Sequence, residues 1–254
     1  LDHNILLHKL TFYGIRGLPN DLIKSYLADR QQYVQLNNIS SSMQSISLGV
    51  PQGSILGPPL FLMYINDIDF VSKHLYFILF ADDTNILYHN NDYNDLCNVM
   101  NAELCVLSDW FRANRLSINI NKTNFILFGS KRIPLNINLN APDVTIDSQL
   151  INRVPSTKFL GIIIDEKLTW QPHIKHVALK IANALNIMSR LKHKLPTRCL
   201  CTLYYSLLYP HFNYGILVWG SASNTVLNKL VLLQKRALRI IDKAHYLSHT
   251  NPIF

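Results

Sequence analysis

FADDT, residues 80–84, stands between two apolar runs, LYFILF (75–80) and NILYHN (85–90). Two apolar strands joined by a short polar turn predict a β-hairpin that holds Asp82 and Asp83 at its tip. Paired carboxylates suit a two-metal phosphoryl-transfer site, because Mg²⁺ prefers oxygen ligands and two ions stabilise both the attacking and the leaving oxygen. Taken alone, an Asp-Asp pair is more typical of a solvated turn. The rest of the chain must decide between the two interpretations.

The flanking strands carry their own prediction. We expect Ile78 and Phe80 before the carboxylates, and Ile86 after them, to pack into the core. Neighbouring side chains on a strand point to opposite faces, so Asp82 and Asp83 need not have equal roles.

A second informative stretch, GVPQGSILGPPLFLMYINDI (49–68), lies upstream. It predicts a helix that opens at Gly53-Ser54 and runs to about Asp69, with its prolines in the first turns, where amide donors lack partners. Glycine lets the backbone approach a nucleotide closely, and Gln52 has both a donor and an acceptor for a base edge or sugar. The alternative is a simple turn before a core helix.

PQGSILGPPLF (51–61), FADDT (80–84), NKTNFILFG (121–129) and FLGIIID (159–165) follow one another in the order and approximate spacing of reverse transcriptase motifs. LTWQPHI (168–174) and YPHFNYGILVWG (209–220) resemble the thumb region that follows those motifs. The chain resembles the reverse transcriptase of jockey-like non-LTR retrotransposons over its whole length. A group II intron maturase is a related alternative, but the FADDT and thumb segments are closer to the retrotransposon branch.

The resemblance implies a role for each motif. Asp82 is the metal-binding carboxylate and Asp83 its neighbour closer to the primer end. Lys122 faces the outgoing pyrophosphate, although a lysine before a strand is commonly solvent-facing. The nucleotide- and template-binding segment comprises Pro51, Gln52 and Gly53. The primer grip comprises Phe159, Leu160 and Gly161, in a hairpin whose apolar residues equally suit plain sheet core.

The resemblance also implies the fold class: α+β, with a right-hand polymerase palm and remnant fingers at 1–165 and an α-helical thumb at 166–254. The charge distribution changes at the same place. Residues 1–165 carry 12 Lys and Arg against 14 Asp and Glu, a net charge of −2. Residues 166–254 carry 12 against 2, a net charge of +10. Such one-sided charge indicates a polyanionic partner. The candidates for contact with a nucleic-acid backbone are Lys175, Lys180, Arg190, Lys192, Lys194, Arg198, Lys235, Arg236 and Arg239.

Periodicity predicts the remaining elements. Helices are expected at 3–13, 19–29, 92–115, 170–193, 197–217 and 224–241. Strands are expected at 31–38 and 43–50, joined by a turn at 39–42, and at 122–128 and within 143–165. His173 and His176 lie three apart on a predicted helix, a spacing that could bind a metal, but the sequence shows no third ligand nearby and both are expected at the surface.

Several function classes are excluded by composition. The apolar runs are shorter than the roughly 18–20 residues that span a bilayer, and the start, LDHNILLHKL, has no basic n-region of a signal peptide. The four cysteines show no paired metal-ligand spacing and are expected to be reduced. We therefore expect an intracellular protein of the nucleus or of a cytoplasmic ribonucleoprotein, not secreted and without a membrane partner.

The chain departs from the family at its start. The first catalytic aspartate of the family lies in a Phe-Asp segment that ends in Asp-His, and Leu1-Asp2-His3 matches only that end. Asp2 does not align with the missing catalytic aspartate. We expect a truncated copy with impaired primer extension.

The predicted function is RNA-directed DNA polymerisation with Mg²⁺, or Mn²⁺ as an alternative ion. The expected partners are an RNA template, a DNA primer and dNTPs, with the RNA of the element and its target DNA. A non-catalytic nucleic-acid-binding remnant of the same element is the alternative.

Overall fold

The computed structural model describes residues 1–129 and 142–250. Its contacts divide the chain into two compact units. The first comprises Leu1–Asn124 and the described residues of Ile137–Asn152, and the second comprises the described residues of Phe125–Asn136 and Arg153–Phe254. The hairpin before residue 165 thus belongs to the second unit, whereas the palm-thumb boundary at 165 remains a prediction. Residues 251–254 of the predicted thumb lie outside the described residues.

The elements mix helix and strand. The helices are α1 (His3–Phe12), α2 (Leu18–Leu27), α3 (Gly57–Ile65), α4 (Tyr93–Ala113), α5 (Gln171–Leu191), α6 (Thr197–Leu203), α7 (Tyr209–Asn213), α8 (Ile216–Trp219) and α9 (Asn224–Ile241), with 3-10 turns at Asn66–Val71 and Ile120–Lys122 and a π-helical turn at Tyr204–Leu208. The strands are β1 (Gln31–Gln32), β2 (Gln35–Leu36), β3 (Ile39–Ser40), β4 (Gln44–Ser45), β5 (Tyr76–Phe80), β6 (Asp83–Leu87), β7 (Asn124–Phe125), β8 (Thr145–Ile146), β9 (Gln149–Leu150), β10 (Asn152–Arg153), β11 (Ser156–Phe159) and β12 (Ile162–Asp165).

The core of the first unit is built by α1, α2 and α3. Leu6, Leu10 and Leu60 are buried there, one helical face from each element packing on the others. Tyr64 is also fully buried, and its hydroxyl donates a 2.6 Å hydrogen bond to the carbonyl of Asn114 at the end of α4. A buried phenol needs such a partner because an unpaired hydroxyl in an apolar core is costly. The hydrogen bond therefore fixes α3 against α4.

The helix expected from Gly53 begins later than predicted. Regular α-helix starts at Gly57, with proline in its first turn, and gives way to a 3-10 turn after Ile65. Ser54 Oγ donates to the Pro51 carbonyl and accepts from the Gly57 amide. These two bonds close a turn before the helix, so residues 51–53 form a loop.

The strands predicted at 31–38 and 43–50 are shorter than expected, and their turn lies elsewhere. Gln35 pairs with Ser40 and Leu36 with Ile39, which leaves a two-residue turn before residue 39. Asn37 has a φ of 53° in that turn. Asparagine tolerates this left-handed backbone better than serine does, which explains why the turn is not at 39–42.

The second unit is a helical core covered by the β11–β12 hairpin. Helices α5 and α9 supply most of the buried side chains, and the hairpin packs on them with partly buried Ile162 and Ile164. The buried set is Trp170, Ile174, Val177, Ile181, Leu185, Met188, Tyr204, Leu208, Trp219, Leu230, Ala237 and Ile240.

The helix predicted over 197–217 is interrupted. It consists of α6, the π-helical turn, α7 and α8. Pro210 lacks an amide donor, and Gly215 has a φ of 65°, a left-handed conformation that breaks the helix before α8. In the described ranges 1–129 and 142–250, no helix has the length and apolar character to cross a membrane.

Candidate active site and nucleic-acid interface

The carboxylate pair lies at the tip of a β-hairpin, as predicted. Strands β5 and β6 are antiparallel, and Phe80 pairs with Asp83 across a two-residue turn of Ala81 and Asp82. Ala81 takes the left-handed backbone, with φ 50°, that such a tight turn requires. Asp82 is thus in the turn and Asp83 is the first residue of β6, and both side chains are exposed.

The face prediction for the flanking strands is partly wrong. Phe80 is 59% exposed, whereas Leu79 packs against the core of the first unit. Phe77 pairs with Ile86 and Ile78 with Asn85, so Ile78 and Ile86 lie on opposite faces. Placing these two isoleucines on one face would require a loop with an odd number of residues. The two-residue turn instead directs Asp83 and Phe80 to the same, outward face.

This geometry suits a divalent cation only in part. Two exposed carboxylates offer hard oxygen ligands, and Mg²⁺ in nucleotide-binding sites takes one or two carboxylates with waters and substrate phosphates. Across the described ranges 1–129 and 142–250, no three His, Cys, Asp or Glu side chains are grouped so as to hold a metal ion. Among the described residues, Asp82 and Asp83 would supply two of the ligands that such a site needs.

The segment predicted to bind nucleotide is an exposed loop. Gln52 and Gly53 are exposed and Pro51 is half-buried. Gly53 has a φ of 80°, with open space where a Cβ would lie. Only glycine adopts this backbone without strain, so the loop presents its main chain on the outside.

The first three residues of the chain hold the base of this loop, a role that the sequence patterns did not indicate. His3 Nε2 lies 2.7 Å from the Gly49 carbonyl, and the Gly49 amide donates to the Leu1 carbonyl at 2.7 Å. Asp2 forms an antiparallel bridge with Leu48. Together these contacts fix the chain immediately before Pro51.

Asp2 has a structural role. Its buried carboxylate accepts from the Asn4 and Ile5 amides at the start of α1 and lies 2.6 Å from Arg115. The hydrogen bond from Ile5 lowers the pKa of Asp2, and Arg115 adds to this against the opposing effect of burial. The N-cap signature of an aspartate before a helix could have indicated this role.

We expect Asp2→Ala to destabilise the first unit by about 1–2 kcal/mol, the usual cost of losing a helix N-cap. A carboxyl with a lowered pKa stabilises the fold above its unfolded value and loses that contribution as pH falls through its folded value. Urea unfolding at about pH 7 and about pH 3 should therefore show a larger difference between variant and wild type at the higher pH. Asp21→Ala, in the first turn of α2, is the control. Equal destabilisation at both pH values would contradict the assignment.

Lys122 belongs to the first unit and is exposed at the end of a 3-10 turn, where its amide is capped by Asn119. Its catalytic role stays a prediction.

The predicted primer grip is the turn of the β11–β12 hairpin. Phe159 pairs with Ile162, and Leu160 and Gly161 form the turn with φ values of 44° and 84°. The Tyr214 hydroxyl donates to the Leu160 carbonyl. This motif lies in the second unit, whereas the carboxylates, Lys122 and the loop at 51–53 lie in the first.

The predicted backbone-binding cations fall into two groups. Side chains that are exposed include Lys175, Lys180, Arg190, Lys194 and Arg198.

The other cations are less exposed or bonded within the unit. Lys192 donates to the Ala244 carbonyl at 2.9 Å, and Arg239 donates to the Ser248 carbonyl at 2.8 Å. Arg236 is exposed but donates to Asn186, and Lys235 is half-buried. The first group therefore holds the better candidates for phosphate contacts.

The expected surface position of His173 is wrong. It is 2% exposed, between the β12 strand and Trp219, whose ring centroid is 5.8 Å from its own. Burial, followed by the charges of His176 and Lys180, lowers the pKa of His173. His211 on α7, which the sequence analysis did not single out, likewise has its pKa lowered by burial and then by Lys180 and His176.

Comparison with known proteins agrees with these motifs. Residues 1–164 match the reverse transcriptase (RNA-dependent DNA polymerase) family. The RNA-directed DNA polymerase from mobile element jockey of Drosophila melanogaster is 29% identical over 242 residues, which is 91% of this chain and 26% of that protein. The probable RNA-directed DNA polymerase from transposon X-element of the same species is 28% identical over 87% of this chain and 24% of its own length. The retrovirus-related Pol polyprotein from type-1 retrotransposable element R1 of Bradysia coprophila is 26% identical over 77% of this chain and 19% of that protein.

The chain spans about a quarter of the length of the first two relatives. The similarity covers the hairpin, the loop and the helical second unit alike. The resemblance to reverse transcriptases of jockey-like non-LTR retrotransposons is confirmed, and the chain belongs to the reverse transcriptase family.

Proposed function

We propose that this chain is the palm and thumb portion of an RNA-directed DNA polymerase that extends a DNA primer on an RNA template. The single observation that carries the proposal is the exposed Asp82-Asp83 pair at the tip of the β5–β6 hairpin, in a chain of the reverse transcriptase family. A tight hairpin is rigid, so the carboxylates stay in place when substrate arrives.

Each site residue has a proposed task within this reaction. Asp82 and Asp83 would hold Mg²⁺, or Mn²⁺, against the phosphates of an incoming dNTP, and the bound ion would neutralise charge on the transferring phosphoryl group. The loop at 51–53 would contact the nascent base pair through its main chain and Gln52. Lys122 would donate a proton or a positive charge to the leaving pyrophosphate.

The second unit would bind the template-primer duplex. Residues 166–254 have a net charge of +10, from 12 Lys and Arg against 2 acidic residues. Phosphate neutralisation by such cations supplies sequence-independent affinity. Exposed positions on α5, together with Arg198 on α6, place these charges where a duplex can reach them.

Salt dependence of binding tests this interface. We expect the affinity of the 254-residue chain for a short RNA–DNA hybrid to fall as salt rises, by about 0.7–0.9 in log–log slope for each neutralised phosphate. Lys175→Ala and Arg198→Ala should each make that slope shallower by about 1. The measurement is fluorescence anisotropy across a salt series.

The matched control is Lys192→Ala. Lys192 already donates to Ala244 within the protein. Its loss should therefore lower the melting temperature and leave the salt slope near the wild-type value. An affinity that does not depend on salt, or a slope that changes equally in all three variants, would refute the proposed interface.

A second candidate is a nucleic-acid-binding protein without catalysis. The exposed cations of the second unit favour it, since they can hold a duplex without help from Asp82 or Asp83. The two candidates predict the same salt dependence and differ in nucleotide incorporation.

The remaining proposals concern partners and place. The RNA of the element and its target DNA would be the natural template and insertion site. We propose an intracellular location, in the nucleus or a cytoplasmic ribonucleoprotein, which agrees with free thiols at Cys97, Cys105, Cys199 and Cys201.

A further inference from the structure

The β11–β12 hairpin has an amide that its own ladder cannot use. Phe159 pairs with Ile162 next to the turn, and Lys158 pairs with Ile163 one step further. In an antiparallel ladder the hydrogen-bonded pairs alternate with pairs whose amides point outwards. The pair that closes a two-residue turn is hydrogen-bonded, so the amide of Ile163 points away from β11.

His173 accepts that amide. The Ile163 N–H donates to His173 Nδ1 at 3.3 Å. An imidazole nitrogen accepts only when it carries no proton, so the proton of the neutral ring lies on Nε2. The ring is almost fully buried, and Nε2 has no partner within the described residues. Leaving a buried ring nitrogen unpaired is costly. The Ile163 bond is therefore the hydrogen bond that compensates in part for burying the ring.

The start of α5 fixes the histidine relative to the strand. Asp165, the last residue of β12, accepts from the amides of Thr169 and Trp170 with its buried carboxylate. Trp170 takes a left-handed backbone, with φ 62°, at the point where the helix begins. This rigid connection sets α5, and with it His173, beside the edge of β12.

The tip of the hairpin is held at a second point. The Tyr214 hydroxyl donates to the Leu160 carbonyl, and a Cβ added at Gly161 would lie 3.1 Å from the Tyr214 ring. A Cβ at Gly215 would lie 2.4 Å from Ile162 Cδ1. The turn is thus packed closely on the segment before α8, while the outward amide of the strand that follows it donates to His173.

We propose that His173 is a positioning residue that holds the Phe159–Ile162 turn in place through the Ile163 amide, and that protonation of its Nδ1 releases the strand. The proposal adds a positioning residue to the proposed function. It rests on that function only where it takes this turn to be the primer grip. Protonation turns the acceptor into a donor that faces another donor, so the bond is lost.

The surrounding charges set the conditions for release. Burial lowers the pKa of His173 first, and the positive charges of His176 and Lys180 on α5 lower it further. His211 on α7 interacts with the same two groups, and its pKa is lowered as well. A histidine with a lowered folded pKa is neutral at neutral pH. Its contribution to stability is lost as pH falls below the ordinary histidine value, about 6.5, towards the folded value.

Amide exchange in the whole 254-residue chain tests the proposal. NMR hydrogen exchange, expressed as protection relative to the intrinsic rate at each pH, would compare Ile163 with Ile164, whose amide faces the ladder. In the wild type we expect protection of Ile163 to fall about fivefold on acidification, the effect of one ordinary hydrogen bond, while Ile164 changes less. His173→Leu should show the reduced protection already at neutral pH.

Two variants separate positioning from simple packing. His173→Asn retains an acceptor at the place of Nδ1 and cannot titrate, so it should keep the protection of Ile163 at all pH values. His176→Leu removes a neighbouring imidazole on the same helix without touching the Ile163 bond, so it should retain the pH-dependent change but move it to higher pH, because a charge that lowers the pKa of His173 is gone. Thermal melting of each variant reports any general loss of stability.

The proposal is overturned if Ile163 protection in the wild type does not depend on pH, or if His173→Leu protects Ile163 as well as wild type does. Should His173→Leu fail to fold, the wild-type pH series and His173→Asn still test whether His173 protects the Ile163 amide. Because the readout is a single amide, a negative result leaves the polymerase proposal untouched, and failure of polymerisation would leave this result standing.

Discussion

Asp82→Asn is expected to reduce deoxynucleotide incorporation by about a thousandfold in a longer protein in which the family's Phe-Asp segment precedes Leu1. Removing one charged ligand of a two-metal site should cost about 4 kcal/mol of transition-state stabilisation, which converts to that factor. The fold should survive, because Asp82 is exposed in the turn and the amide is nearly isosteric. Loss of one of two adjacent negative charges should also relieve repulsion at the tip. Primer extension measures the first effect and thermal melting the second.

Asp29→Asn is the matched control. Asp29 is also exposed and has a φ of 52°, a backbone that asparagine tolerates. It should leave both incorporation and melting unchanged. Incorporation near the wild-type rate in Asp82→Asn would require the metal-ligand assignment to be abandoned. If the unsubstituted longer protein did not incorporate nucleotides at all, that result would instead favour the non-catalytic alternative.

Leu185→Ala is expected to destabilise the second unit by about 2–5 kcal/mol. Leu185 is fully buried on α5, within the core that α5 forms with α9. The cost combines the lost transfer of the side chain with the cavity left behind in a close-packed interior. Because the hairpin that carries Leu160 and Gly161 packs on this core through Ile162 and Ile164, binding of template-primer should weaken as well.

Ile187→Ala provides the comparison on the same helix. Ile187 is 53% exposed, so its truncation should change stability by less than about 1 kcal/mol. Denaturant unfolding followed by tryptophan fluorescence in a Trp110→Phe background reports the second unit, since Trp170 and Trp219 are both in its core and Trp110 lies in the first unit. Similar losses in the two variants would show that the buried face of α5 has been assigned wrongly.

The sequence alone determined the helices and the hairpin, which are stabilised by residues close together in the chain. The amphipathic repeats that define α2, α4, α5 and α9 are complete within each segment, and their predicted bounds agree with the structure to within a few residues. The hairpin around Asp82 and Asp83 follows from two apolar runs and a polar turn, which need no distant partner. The motif order identified the family for the same reason, because it is a property of the chain alone.

Tertiary structure alone decided which side of each element is covered. Phe80 is exposed because the hairpin packs on the core of the first unit through its other face, where Leu79 lies. By sequence, Lys192 and Arg239 are as suited to phosphate contact as Lys175. In the structure they donate hydrogen bonds to the carbonyls of Ala244 and Ser248. His173 was expected at the surface because the sequence shows no third metal ligand beside it and His176, yet β12 and Trp219 cover it. Burial and hydrogen bonding depend on partners far apart in the chain, and a periodic pattern within one segment carries no information about them.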